Sequence, residues 1–161
     1  MHKTLASILG IFSFLLIISC NSLFQDDGFY PDSEIDLFKG GSNQMLEAYS
    51  DSLFLEPFTI NDLSRDGKIL NINVTYAGGE GGCPSHLFVI QWDEQVHTQS
   101  QNYPLIELGI AHFIPTETNC EALVKEVIKI DLVELLKDQL ADTMSFKVLN
   151  LVDSTTVELK P

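Results

Sequence analysis

Basic residues are scarce in this sequence: 9 Lys and Arg stand against 23 Asp and Glu, for a formal net charge of −14 over 161 residues. A chain this acidic is repelled by nucleic acid and by anionic lipid surfaces, so nucleic acid is excluded as a partner. Long apolar runs are missing as well. The stretch from Leu5 to Ile18 falls short of the ~20 apolar residues that cross a bilayer as a helix. No phosphate loop, serine elbow, zinc-protease helix motif, nucleotide fingerprint or paired-carboxylate signature occurs. No catalytic residue is therefore assigned, the chain is expected not to be an enzyme, and no cofactor is expected. Cysteine is limited to three positions, Cys20, Cys83 and Cys120, and there is a single tryptophan, Trp92.

What is present begins with an address. A short basic start (His2, Lys3) precedes the apolar run, which fits the h-region of a signal peptide spanning residues 1–19. The run ends in Ile17-Ile18-Ser19-Cys20, which resembles the lipobox of bacterial membrane lipoproteins. That resemblance implies cleavage after Ser19 and acylation of Cys20, whose thiol is the acceptor for diacylglycerol. Acyl chains, at ~0.8 kcal/mol per buried methylene, then hold the protein on a membrane with no helix through it. Asn21 follows the cysteine where the inner-membrane retention signal of enteric lipoproteins has Asp. The expected location is therefore the cell envelope, outer membrane rather than inner, with the periplasmic or surface face left open. Cleavage also removes Lys3 and makes the chain more acidic by one charge.

Residues 20–43 are rich in Asp, Glu, Ser and Gly and read as an acidic flexible tether, reaching ~25 Å on average. Within it, Asp32, Glu34 and Asp36 have the alternate spacing of a calcium loop. Leu37 stands where that loop needs Gly, and Asn43 where it needs Glu, so a solvated tether is the better reading. Residues 44–161 read as one domain; a chain of this size buries ~70% of its unfolded surface. Leu53 to Ile60, interrupted by Pro57, predicts a weak or edge strand, and Asp66-Gly67 a hairpin turn. Beyond the turn, Leu70, Ile72, Val74 and Tyr76 alternate with Asn71 and Asn73. His86, Phe88, Ile90 and Trp92 share one face of the next strand. Ile106, Leu108, Ile110, His112 and Ile114 share one face of the strand after Pro104. Ala122, Val124, Ile128, Ile130 and Leu132 alternate with Lys125, Lys129 and Asp131. Asp131 with Glu134 marks the start of a short helix ending near Ala141. Phe146 to Val152 and Thr156 to Leu159 supply the last two strands, around an Asp153-Ser154 turn. Short strands at this spacing with one short helix predict a mainly β chain: an antiparallel β-sandwich, with an immunoglobulin-like topology as one form of it and a barrel as the alternative.

The chemistry-bearing residues cluster between Gly78 and Cys120. With Cys20 acylated, Cys83 and Cys120 remain as an even pair in an oxidising compartment, and a disulfide is the leading reading. Closing the loop between them would stabilise the domain by ~4 kcal/mol in the chain-entropy model. The alternative is a zinc site using Cys83, His86, His112 and Cys120. A copper site of the cupredoxin kind fails, because no His lies between Cys20 and Cys83 and no Met between Met45 and Met144. A third reading makes Cys83 the nucleophile of a hydrolase, with His86 or His112 as its base. The plainer reading gives each histidine one hydrogen bond at the rim of the core. Gly78-Gly79-Glu80-Gly81-Gly82 supplies backbone freedom for a turn or bulge. Asn73-Val74-Thr75 matches an N-glycosylation pattern, and Asp51-Ser52-Leu53, Asp142-Thr143-Met144 and Asp153-Ser154-Thr155 look like O-glycan acceptors of lipoprotein-rich bacteria.

From about residue 76 to 135 the chain is similar to lipidated β-domains that carry a GGCxxHxF block, a strand ending in His and a later Cys. That resemblance attaches no activity. The expectation is a non-enzymatic binding or assembly module on a lipid anchor, with an envelope protein or a glycan as its partner.

Overall fold

The computed structural model describes residues 33–78, 85–98, 103–116 and 122–161. In chain order the elements are β1 (Glu34–Lys39), α1 (Ser42–Ser50), β2 (Phe54–Leu55), β3 (Phe58–Asp66), β4 (Ile69–Gly78) and β5 (Leu87–Trp92). They continue with β6 (Val96–Thr98), β7 (Pro104–Ile114), β8 (Ala122–Asp131), α2 (Leu132–Leu136), β9 (Ser145–Asn150) and β10 (Thr156–Leu159). The strands form two sheets. The larger has seven strands in the order β1-β5-β7-β9-β10, with β2 and β6 also paired to β7; the smaller is β3-β4-β8. The mainly β, sandwich-like architecture expected from the strand spacing is what the chain adopts.

The inner faces meet in one core. Leu70, Ile72, Val74 and Tyr76 of β4 are all buried, as their alternation requires, and they pack with Phe88, Ile90 and Trp92 of β5 and Ile106, Leu108 and Ile110 of β7. Burying a side chain of this size stabilises by roughly 1.5–3 kcal/mol. The Asp66-Gly67 turn closes the β3–β4 hairpin with Gly67 at a positive φ of 56°, a conformation glycine adopts without steric penalty. Pro57 separates β2 from β3, so the weak strand expected around it is a two-residue strand followed by the start of the nine-residue β3, and the two join different sheets. Asp131 caps α2 by accepting hydrogen bonds from the Val133 and Glu134 amides at 2.8 and 3.3 Å. Leu132, Leu135 and Leu136 of that helix close the core.

Three expectations need correction. The acidic segment was expected to run as a tether through residue 43, but β1 pairs in parallel with β5 from Glu34 to Lys39. Its acidic residues sit on a strand whose backbone bonds, rather than its side chains, hold it, and Asp36 accepts a hydrogen bond from the Tyr49 hydroxyl. Residues 20–32 lie outside the described residues. Secondly, there are two short helices rather than one. In α1 the Gln44 side chain reaches back to the Gly41 amide, and Met45 and Tyr49 pack on Val89, Ala111 and Phe113. This second core lies on the outer face of the large sheet, so β5 and β7 are buried on both faces. Thirdly, the large sheet is mixed, because β1 joins β5 and β9 joins β7 in parallel; β9 returns only after the chain has crossed to β8 and α2. Among the described residues no helix is long and apolar enough to cross a membrane.

Candidate functional site

Two strand ends bring the histidines together. His86 immediately precedes β5, in phase with Phe88, and His112 lies opposite Phe88 in the β5–β7 ladder. Both side chains therefore point into the core, where they are 2% and 0% exposed. His86 Nδ1 and His112 Nε2 are 2.8 Å apart, a hydrogen bond in which one ring donates and the other accepts. Phe88 stacks on His112 with centroids 4.5 Å apart, and the Tyr76 ring lies 4.6 Å from His86. The histidines thus sit inside the core rather than at its rim, each supplying the other's partner.

Electrostatics follow from that burial. Desolvation, together with the neighbouring His86, pushes the His112 pKa down to about 3, against a smaller upward pull from the Pro57 carbonyl. Desolvation also lowers His86, and the charge of Glu126 opposes it. Both rings are neutral at pH 7. Their outer nitrogens, His86 Nε2 and His112 Nδ1, have no hydrogen-bond partner among the described residues. Two tautomer arrangements satisfy the pair; the one assigned places a proton on His112 Nδ1, on the side of the Pro57 carbonyl, which makes His112 Nε2 the acceptor, His86 Nδ1–H the donor and His86 Nε2 a bare lone pair. Gly78, the last residue of β4, allows this packing. A Cβ there would come within 3.1 Å of His86 Nε2 and 3.0 Å of the Tyr76 ring.

A carboxylate completes the cluster. Glu126 occupies an inward position of β8, between Val124 and Ile128, where the other side chains are apolar. Its Oε2 accepts from the Tyr76 hydroxyl at 2.8 Å, and its Oε1 from the Ser33 hydroxyl just ahead of β1. That bond and burial hold the Tyr76 phenol well above its usual range. Glu126, Tyr76 and Ser33 were not among the residues expected at the site. The signal for Glu126 was present, since a charged residue in the apolar phase of a strand needs a partner.

Cys20, Cys83 and Cys120 lie outside the described residues, as does the 79–82 part of the glycine block. The positions where the two cysteine-bearing segments are anchored are described, however. Gly78 and Ala122 are direct partners in the β4–β8 ladder, so residues 79–84 leave, and residues 117–121 arrive, at the same end of the sandwich. Of the four residues expected as zinc ligands, His86 and His112 are bonded to each other rather than converging on a third point. Among the described residues no group of three or more His, Cys, Asp or Glu could hold a metal ion.

A second feature lies along one side of the sandwich. β3 and β10 approach each other on the far side, whereas β1 and β8 are edge strands among the described residues and flank a groove of about 270 Å³ lined by Ile35, Leu37, Ile130 and Leu135 together with the charged Lys129, Asp131 and Glu134. Ile35 and Leu37 remain 44% and 36% exposed there.

No protein-family model and no curated protein matches this sequence. Its fold is similar to the crystal structure of a protein from Parabacteroides distasonis ATCC 8503, provisionally described as toxin related, with a TM-score of 0.50 and 14% identity. The match takes in 80% of this chain and 60% of that one, so this chain spans less than two thirds of its neighbour's length, and at this identity the likeness is one of fold.

Proposed function

We propose that the protein is an exported, lipid-anchored envelope lipoprotein whose sandwich is a non-enzymatic binding module for an extended segment of another envelope protein. The observation that carries the binding reading is the open side between β1 and β8, where Ile35, Leu37, Ile130 and Leu135 lie beside Lys129, Asp131 and Glu134. Two strand edges unpaired among the described residues, with the half-exposed Ile35 and Leu37 between them, are the arrangement to which an extended polypeptide adds main-chain hydrogen bonds and alternate side chains. The anchor rests on Ile17-Ile18-Ser19-Cys20 and on the apolar run ahead of it. A Cys83–Cys120 bridge is supported by the pairing of Gly78 with Ala122, which starts and ends the two cysteine-bearing segments at neighbouring points. The histidine pair argues against hydrolysis, because a buried ring already bonded to another ring is a poor general base for an incoming substrate.

Photo-crosslinking in the native envelope tests the binding surface. A photoreactive residue at Ile35 or Leu37 is expected to trap one discrete protein partner, while the same group at Asn71, on the outer face of β4, traps none. Equal labelling at both places, or none at either, contradicts the proposal. Capture of glycan alone would replace the protein partner with a carbohydrate.

A further inference from the structure

We infer that the His86–His112 pair and Glu126 form an acid-operated latch, which holds the start of β1 against β8 at neutral pH and releases it when a proton enters the pair. The inference rests on the binding reading for its purpose, since the β1–β8 side is the proposed interaction surface. It stands on different atoms.

The start of β1 is pinned at two points, and both belong to the buried cluster. The Ser33 hydroxyl donates to Glu126, and the Glu34 amide donates to the carbonyl of His86 at 2.9 Å. Because Glu126 lies on the edge strand of the small sheet and Ser33 leads into the edge strand of the large one, the Ser33–Glu126 bond spans the open side. Glu126 divides its two oxygens between Ser33 and Tyr76. That division holds only while no stronger donor is near.

A proton from solvent creates one. It enters at His86 Nε2, the bare lone pair, and not at His112, which is buried more completely and would then lie beside an existing charge. The His86 Nδ1–H to His112 Nε2 bond survives this step, as an imidazolium donating to an imidazole. What changes is that Nε2–H now needs an acceptor in a water-poor site, where a charge-assisted bond is about twice as strong as a neutral one. Among the groups facing the pair, one is an anion. β4 contributes the Tyr76 hydroxyl, whose proton goes to Glu126 and whose neutral oxygen is a weaker acceptor than a carboxylate. β3 and the turn before it contribute the Phe58 ring and the Pro57 carbonyl on the His112 side. Phe88 covers the rings from β5, Asn150 of β9 is bonded to the Phe58 carbonyl, and the exposed Glu34 carboxylate is in solvent. Glu126 is the anion whose charge reaches the ring. Turning its carboxylate toward His86 gives up the Ser33 hydroxyl, and the start of β1 loses its tie to β8.

Hydrogen exchange on the mature full-length protein, at pH 7 and pH 5, tests this directly. Protection factors of the Glu34–Lys39 amides are expected to fall at pH 5 by about tenfold more, the equivalent of one pKa unit, than those of β4 and β7, which follow global stability alone. His86→Gln and Glu126→Gln should each remove the acid response; two variants guard against one failing to fold. A uniform loss of protection across all strands overturns the latch in favour of ordinary acid unfolding. So does an unchanged β1, or a response that persists in either variant, which would place the titration elsewhere. Since the free chain is measured, any of these results leaves the crosslinking test at Leu37 to judge the binding surface separately.

Discussion

At the scale of single residues, the histidine pair sets how stability depends on pH. His112 has a folded-state pKa near 3 against an ordinary 6.5. The folded protein refuses a proton that the unfolded chain accepts, so stability is complete above pH 6.5. It declines as pH falls from 6.5 toward 3, by about 1.4 kcal/mol per pH unit for this ring. His112→Phe is expected to flatten that decline. At pH 7 the same substitution costs about 1–3 kcal/mol, because His86 Nδ1–H loses its acceptor inside the core. Denaturant midpoints at pH 7, 6, 5 and 4 check both parts. An acid limb as steep as the parent's would mean that other groups carry it. The histidines themselves could be read in the sequence as members of two apolar faces. Their partnership could not, because it depends on β5 and β7 being neighbours in this register.

At the scale of elements, what the sequence made legible follows a simple rule. β4 alternates cleanly because one face meets the core and the other meets water, and its apolar set lies where period two places it. The hairpin at Asp66-Gly67 and the start of α2 at Asp131 are likewise local chemistry, visible without the fold. Asp131→Ala should accordingly cost about 1 kcal/mol, the usual worth of an N-cap, with the strands left intact; a loss below 0.3 kcal/mol in thermal unfolding would mean that Leu132 and Leu135 alone hold the helix. β1 and α1 escaped notice for the opposite reason. β1 does alternate, with Ile35 and Leu37 between Glu34 and Asp36, but its acidic residues read as tether and its pairing to β5 is a long-range backbone contact. α1 has few apolar positions, and those matter only because the outer face of β5 and β7 offers Val89, Ala111 and Phe113 to cover. Glu126 lay in plain view as a break in the apolar phase of β8, but a charge in a strand names no partner until Tyr76 and Ser33 are placed beside it.

At the scale of the whole molecule, the features converge on one end and one side of the sandwich. Gly78, Ser85, His86 and Ala122 gather where the two cysteine-bearing segments leave the sheets, and the open β1–β8 side begins at the same cluster through Ser33 and Glu126. A bridge between Cys83 and Cys120 would clamp that end, and the free edges would stay accessible beside it. The proposed anchor at Cys20 would leave Cys83 and Cys120 as the pair that forms this bridge. The decisive measurement is a peptide map of the protein purified from the envelope and alkylated without reduction. The expected result is a mature amino terminus at an acylated Cys20 together with a linked Cys83–Cys120 peptide pair. An amino terminus at Met1 or an unmodified Cys20, with Cys83 and Cys120 both alkylated, would contradict the account.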